Sequence, residues 1–244
     1  MAAADIKNED LVLEIGPGIG SMTWALARRA GHVIAVELDV QLIPVLKDIF
    51  ANSPVTVIQG DILKIDLPSV MKQAGMSSVK VVANLPYYIT TPVIIYLLES
   101  GLPFLSITVM VQKEVAARMA ASPGTKDYGS LSLFMQYYAD IRLVANVPVN
   151  SFMPRPAVDS AVVQLSLLPS PRVETDKDFL FKIIHAAFNQ RRKTLVNALF
   201  SAGILQSKAQ ILEVLKACNL KSDIRGETLD IFAFAQLAEA LGEK

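Results

Sequence analysis

Residues 11–31 read LVLEIGPGIGSMTWALARRAG, and this stretch decides the fold. Leu11–Ile15 is an apolar run interrupted only by Glu14, short enough for a buried strand. Gly16, Gly18 and Gly20 follow in a turn, and Thr23–Ala30 has helical spacing closed by Gly31. A strand, a glycine turn and a helix in that order allow close backbone approach to a ligand, with free N–H groups at the helix start. The same alternation continues downstream. HVIAVEL (32–38), VTVIQGD (55–61), VKVVANLPYY (79–88) and LSITVMVQ (105–112) read as further strands. Helical spacing appears in LIPVLKDIF (42–50) and in PVIIYLLES (92–100), with Pro92 near the helix start. Continuous apolar strands alternating with helices predict a parallel α/β sheet covered on both faces.

After Tyr128 the pattern changes. IRLVANVPV (141–149) and AVVQLSLL (161–168) read as later strands at an antiparallel edge, and from Asp176 onward the chain reads as about four helices. The proline-rich LLPSPRV (167–173) marks the expected boundary. The expectation is a Rossmann-like domain over residues 1–170 and a small all-helical domain over residues 171–244.

Composition narrows the function classes. Of 244 residues, 52% are hydrophobic, which fits a filled core and excludes a disordered chain. No apolar run approaches the ~20 residues that cross a bilayer, so no membrane partner is expected. MAAADIKNED at the start is too short and polar for a signal peptide. Cys218 is the only cysteine, which excludes an intrachain disulfide and points to a packed thiol in a reducing cytoplasm. Charges balance at 23 basic and 23 acidic residues, with a net of −2 over residues 1–168 and +2 over 169–244. That is weak support for nucleic acid, and only Arg191-Arg192-Lys193 stands out.

Two acids give the glycine turn its context. Glu37 ends the second strand, 21 residues after Gly16, where a carboxylate accepts from both ribose hydroxyls. Asp61 ends the third strand, within reach of an adenine amino group. Together they specify an adenosine-containing cofactor, with NAD still open. The fourth strand ends in VANLPYY (82–88), and turn chemistry does not explain its two tyrosines. An exocyclic amine is a poor nucleophile because its lone pair is delocalised into the ring. Two acceptors aimed at its N–H groups hold it and stabilise charge as it attacks. Asn84 supplies a side-chain oxygen, and Leu85, held extended by Pro86, supplies a carbonyl. Tyr87 offers a flat surface for an extruded base, while Tyr88 is expected in the core. With S-adenosylmethionine as donor, no metal or strong base is needed, and alignment supplies most of the rate.

EIGPGIGSMT, VELD, QGDIL, NLPYYIT, MVQKEVAARM, PGTKDYGSLS, FMPRPAVDSAVV and FNQRRKTLVNAL occur in that order. Over Leu11–Leu241 the chain resembles the ribosomal RNA adenine N6,N6-dimethyltransferases, and NLPYYIT and RRKTL resemble their small-subunit branch. The resemblance implies a class I methyltransferase sheet in the first domain. Gly16 and Gly18 would approach the methionine end of S-adenosylmethionine, with Glu14 beneath the turn. Glu37 and Leu38 would hold the ribose, and Asp61 and Ile62 the adenine. Asn84, Leu85, Pro86 and Tyr87 would form the acceptor site, Asn84 also bordering the cofactor. Phe152 would cover the other face of the base, or serve as a plug under the proline loop. Arg191, Arg192 and Lys193 would meet RNA phosphates, or form a solvated face and ion pairs, and His185 reads as packed or surface.

The implied reaction dimethylates two adjacent adenosines in the 3′-terminal hairpin loop of 16S rRNA in the small ribosomal subunit, leaving S-adenosyl-L-homocysteine. A cytoplasmic monomer is expected. Three rivals remain: a non-catalytic assembly factor, a protein or DNA amino-methyltransferase, and a dinucleotide-dependent oxidoreductase, which leaves VANLPYY unexplained. The family pattern also has a Gln-Asn-Phe-Leu type segment before the first strand, unmatched in MAAADIKNED. The expectation is a chain that folds but holds the cofactor weakly.

Overall fold

The computed structural model describes residues 2–73 and 79–242. The chain forms two compact units, Met1–Ala116 with Ile141–Leu167, and Ala117–Asp140 with Leu168–Lys244.

The first unit contains β1 (Leu11–Ile15), α1 (Ser21–Ala27), β2 (His32–Glu37), α2 (Leu42–Ile49), β3 (Val55–Gln59), α3 (Leu67–Gln73), β4 (Val79–Asn84), α4 (Tyr87–Glu99) and β5 (Phe104–Gln112). Two later strands, β6 (Ala139–Val147) and β7 (Ser160–Leu167), complete one seven-stranded sheet in the order β3-β2-β1-β4-β5-β7-β6. The first five strands are parallel, and β7 runs antiparallel to β5. All five residues of β1 are buried, as covering both sheet faces requires. Strand order reverses at β1, which lies between β2 and β4, and open α/β sheets bind ligands beside such a reversal. Ile15 is in register with both Val36 and Ala83, so the carboxyl ends of three strands meet there.

One boundary differs from the sequence reading. The fourth strand stops at Asn84, and α4 begins at Tyr87, five residues before Pro92. Pro86 already provides the start: it sits extended (φ −53°, ψ 138°), and its carbonyl accepts from Ile89 N–H (3.1 Å) and the Thr90 hydroxyl (3.0 Å). Pro92 therefore lies inside the helix, although proline more often marks a first turn. Tyr88 consequently is not in the core. It is 80% exposed on the first turn of α4.

The second unit is helical. α5 (Lys113–Met119) spans the division between the units and is followed by α6 (Ser130–Tyr138), α7 (Lys177–Asn189), α8 (Leu195–Ser201), α9 (Lys208–Ala217) and α10 (Ile231–Gly242). Asp176, Thr194 and Ser207 cap α7, α8 and α9 through their side-chain oxygens. Leu133 and Tyr137 of α6 share one core with Leu180, Ile184, Leu199, Leu215, Phe234 and Leu237. A cut at residue 170 would therefore separate residues 117–140 from the helices they pack against. Helical periodicity shows that a face is buried but not which distant segment covers it. Tyr128, from PGTKDYGSLS, is 1% exposed, donates to the Leu229 carbonyl (2.8 Å), and meets the Phe188 ring edge-on. That loop anchors the unit. Cys218 is buried, as a packed thiol should be. Among the described residues no helix is long and apolar enough to cross a membrane.

Candidate active site

The glycine turn is pinned at two points. Gly16, at φ 70°, donates its N–H to the Val36 carbonyl (3.0 Å), locking the end of β1 to β2. Gly18, at φ 59°, donates to Glu37 Oε2 (3.0 Å), and Asp39 N–H donates to Glu37 Oε1 (2.9 Å). Both positive φ values suit glycine. Glu37 is only 7% exposed, and its carboxylate is held by a backbone N–H at each oxygen. Charge-assisted bonds of this kind make it a fixed acceptor, with lone pairs left for a ligand.

Gly60 N–H donates to the Glu37 carbonyl (2.9 Å), which carries Asp61 alongside. Asp61 Oδ1 accepts from Leu63 N–H (3.1 Å), and Oδ2 lies 3.4 Å from an exposed Lys64 ammonium, a pair worth little in water. A cavity of about 340 Å³ opens here and gathers Gly16, Glu37, Leu38, Asp61 and Ile62 from three strand ends. Leu85 and Pro86 line it from the end of β4. Tyr88 and Ile89 also line it, and the sequence reading missed both because it started α4 too late. The signal was Pro86, a proline between a strand and two aromatics.

Glu14 does not line this cavity. It lies within β1 at 0% exposure, and neither carboxyl oxygen has a hydrogen-bond partner. Burial pushes its pKa up to about 7; the nearby Thr23 hydroxyl lowers it, though outside hydrogen-bond geometry, and the Glu37 charge raises it further. The ordinary value is 4.5, so the unfolded chain ionises first as pH rises. Folded-state stability linked to Glu14 is therefore complete below about pH 4.5 and is lost progressively as pH climbs to about 7. Replacing Glu14 with Gln removes that loss. The variant should gain stability over the parent between these pH values, reaching roughly 3 kcal/mol near neutrality. Urea titrations across the range check this; a constant difference would show that Glu14 does not titrate as its burial requires.

Asn84 faces elsewhere. It is exposed at the end of β4 and lines a more apolar cleft of about 420 Å³ with Met22 of α1, Thr108 and Met110 of β5, Val144 of β6 and Val162 of β7. The Asn84–Pro86 segment therefore straddles two cavities. Tyr87 lines neither: it is half-buried, and its hydroxyl shares a 2.7 Å hydrogen bond with the buried Ser160 Oγ. Phe152 follows a short 3-10 turn, Val149–Ser151, is half-buried, and also lines neither.

In the second unit, Arg191–Lys193 occupies the loop between α7 and α8. Arg191 Nε donates to Glu227 (2.6 Å) and Nη2 to the Thr125 carbonyl (3.1 Å), so this residue has a structural commitment. Arg192 and Lys193 are exposed and line an open groove with Phe188 and Asn189. His185 is exposed on α7. No cluster of metal-ligating side chains exists among the described residues.

The pattern of the family described as "Ribosomal RNA adenine dimethylase" matches residues 1–237. A "Ribosomal RNA small subunit methyltransferase A" from Lachnoclostridium phytofermentans is 52% identical over 247 residues, covering 99% of this chain and 85% of the relative. Among solved structures, a dimethyladenosine transferase from Plasmodium falciparum superposes with TM-score 0.81 at 29% identity, covering 97% of this chain and 91% of that one. The 23S rRNA methyltransferase ErmE shares the fold, with TM-score 0.74 at 23% identity and coverage of 99% and 94%.

Proposed function

Because this chain belongs to the ribosomal RNA adenine dimethylase family, we propose that its two cavities hold the methyl donor and the target adenine on either side of Asn84–Pro86. The enzyme is an S-adenosylmethionine-dependent methyltransferase that dimethylates adenine in small-subunit ribosomal RNA. The observation that carries the spatial reading is the position of that segment: Leu85 and Pro86 line the acid-bearing cavity, and Asn84 lines the apolar cleft.

The donor fits what is there. A volume of about 340 Å³ lies within the range of small-ligand sites. Glu37 presents its held carboxylate for two ribose hydroxyls. Leu38 and Ile62 offer apolar faces for an adenine, with Asp61 beside its amino group. A side chain at Gly18 would meet no protein atom within 4 Å, so open space lies over the turn for the methionine end. When bound, the cofactor supplies a methyl carbon on a sulfonium, whose thioether leaves as S-adenosyl-L-homocysteine.

This chain's residues orient the nucleophile. The Asn84 side-chain oxygen and the Leu85 carbonyl accept from the two N6–H groups and favour a pyramidal nitrogen. Held this way, the nitrogen lone pair would be aimed at the methyl carbon, and the cofactor would supply a thioether leaving group that takes the C–S bonding pair. The nitrogen then sheds a proton that a cationic arylamine releases readily to water, so no side-chain base is required. After one methylation an N–H remains for a second pass. After two, none remains.

The substrate reading is two adjacent adenosines in the 3′-terminal hairpin loop of 16S rRNA, with Arg192 and Lys193 on phosphates. A monomer working in the cytoplasm, where small subunits assemble, suits this reading. Mass mapping of RNase fragments from small subunits incubated with the enzyme tests it. The expected result is one fragment from the 3′-terminal hairpin carrying two dimethylated neighbours. Modification at any other place overturns the site assignment.

A further inference from the structure

Trp24 is the only tryptophan in the chain and is 57% exposed on α1, an unfavourable place for so large an apolar surface. Thr23 and Leu26 bury the opposite side of that helix. The Arg28 guanidinium lies 4.6 Å from the centre of the Trp24 ring. Arg29, next to it, is also exposed, and neither arginine has an acidic partner among the described residues. Together with Ala25 they line an open groove of about 360 Å³. This pair of unneutralised guanidiniums occurs in the part of the chain whose net charge is −2.

The groove's position relates it to the acceptor cleft. Met22 of the same helix lines the cleft beside Asn84, and the helix ends at Ala27 with Arg28 as its C-cap and Arg29 in the turn that follows. The Trp24 backbone N–H donates to the Gly20 carbonyl (2.9 Å), so Trp24 sits one helical turn, ~5.4 Å, past Gly20. A polyanion whose adenine enters the cleft would have its flanking nucleotides within reach of this helix.

We propose that Trp24, Arg28 and Arg29 form a docking surface for ribosomal RNA flanking the target adenine, with a base stacked on Trp24 and phosphates paired with the two guanidiniums. The inference rests on the reading of the substrate as small-subunit rRNA. An exposed aromatic among arginines suits single-stranded RNA, because every base has a face to stack and every linkage has a charge. A protein hot spot would be ringed by contacts that exclude water, and here only Ala25 lines the groove besides the aromatic and its two cations.

As the sole tryptophan, Trp24 reports directly on the wild-type protein. Adding protein-free 16S rRNA should quench its emission and shield it from acrylamide. In parallel, Trp24→Ala should weaken binding about tenfold, with Trp24→Phe restoring most of it. Arg28→Gln with Arg29→Gln should flatten the dependence of log affinity on log salt by about 1 to 2 units. Unchanged emission and acrylamide access in a formed complex would overturn the proposal. So would variants that bind free rRNA like the parent but lose binding to whole subunits, which would assign the surface to a ribosomal protein. If the parent binds but methylates no adenine, the reaction itself has failed, and that outcome is separate from the fluorescence result.

Discussion

Asn84→Ala is expected to lower turnover by about 10²- to 10³-fold, the usual cost of losing one donor or acceptor that acts in the transition state. Binding to small subunits should stay near that of the parent, because a single neutral contact to the base adds little to a phosphate-dominated interface. In the proposed role the amide oxygen would act where charge develops, which makes the expected effect large. The N6 lone pair must leave conjugation with the ring before it attacks, and without Asn84 only the Leu85 carbonyl would oppose its return to planarity. Stability should change little, since Asn84 is exposed at a strand end. Single-turnover assays with saturating cofactor and unmethylated subunits measure this. A rate within threefold of the parent would remove Asn84 from the acceptor site.

Glu37→Ala is expected to weaken S-adenosyl-L-homocysteine binding by at least about 100-fold. Two charge-assisted hydrogen bonds to ribose would be lost, each worth about 1.5–3 kcal/mol. The glycine turn would also loosen, because the Gly18 and Asp39 N–H groups lose their acceptor. Glu37→Gln keeps one side-chain oxygen and should fall between the two. Calorimetric titrations with the product, which cannot react, separate this from turnover. An unchanged dissociation constant for Glu37→Ala would mean the carboxylate only staples the turn.

The glycine turn, Glu37 and Asp61 were legible because each closes an apolar strand at its carboxyl end, where parallel sheets place ligands. Residue type and strand position together were enough to place Gly16, Glu37 and Asp61 on one cavity. Tyr88 was not legible, because facing direction depends on where α4 starts, and Pro92 offered a competing start signal to Pro86. Arg191 shows a second limit. A run of three cations looks uniform in sequence, yet Glu227, 36 residues away, claims one of them. The membership of residues 117–140 in the helical unit was hidden for the same reason, since burial partners distant in sequence leave no periodic mark. Trp24 could have been flagged from two arginines one turn on, but only the fold shows that it stands outside the core, on the helix whose Met22 lines the cleft holding Asn84.

The most direct measurement incubates this chain with labelled S-adenosylmethionine and small subunits lacking the modification, then digests their RNA to nucleosides. Label is expected in N6,N6-dimethyladenosine, with N6-methyladenosine appearing only transiently before it. Subunits that bind the chain while no methylated adenosine forms would contradict the account and leave a particle-binding protein without the reaction.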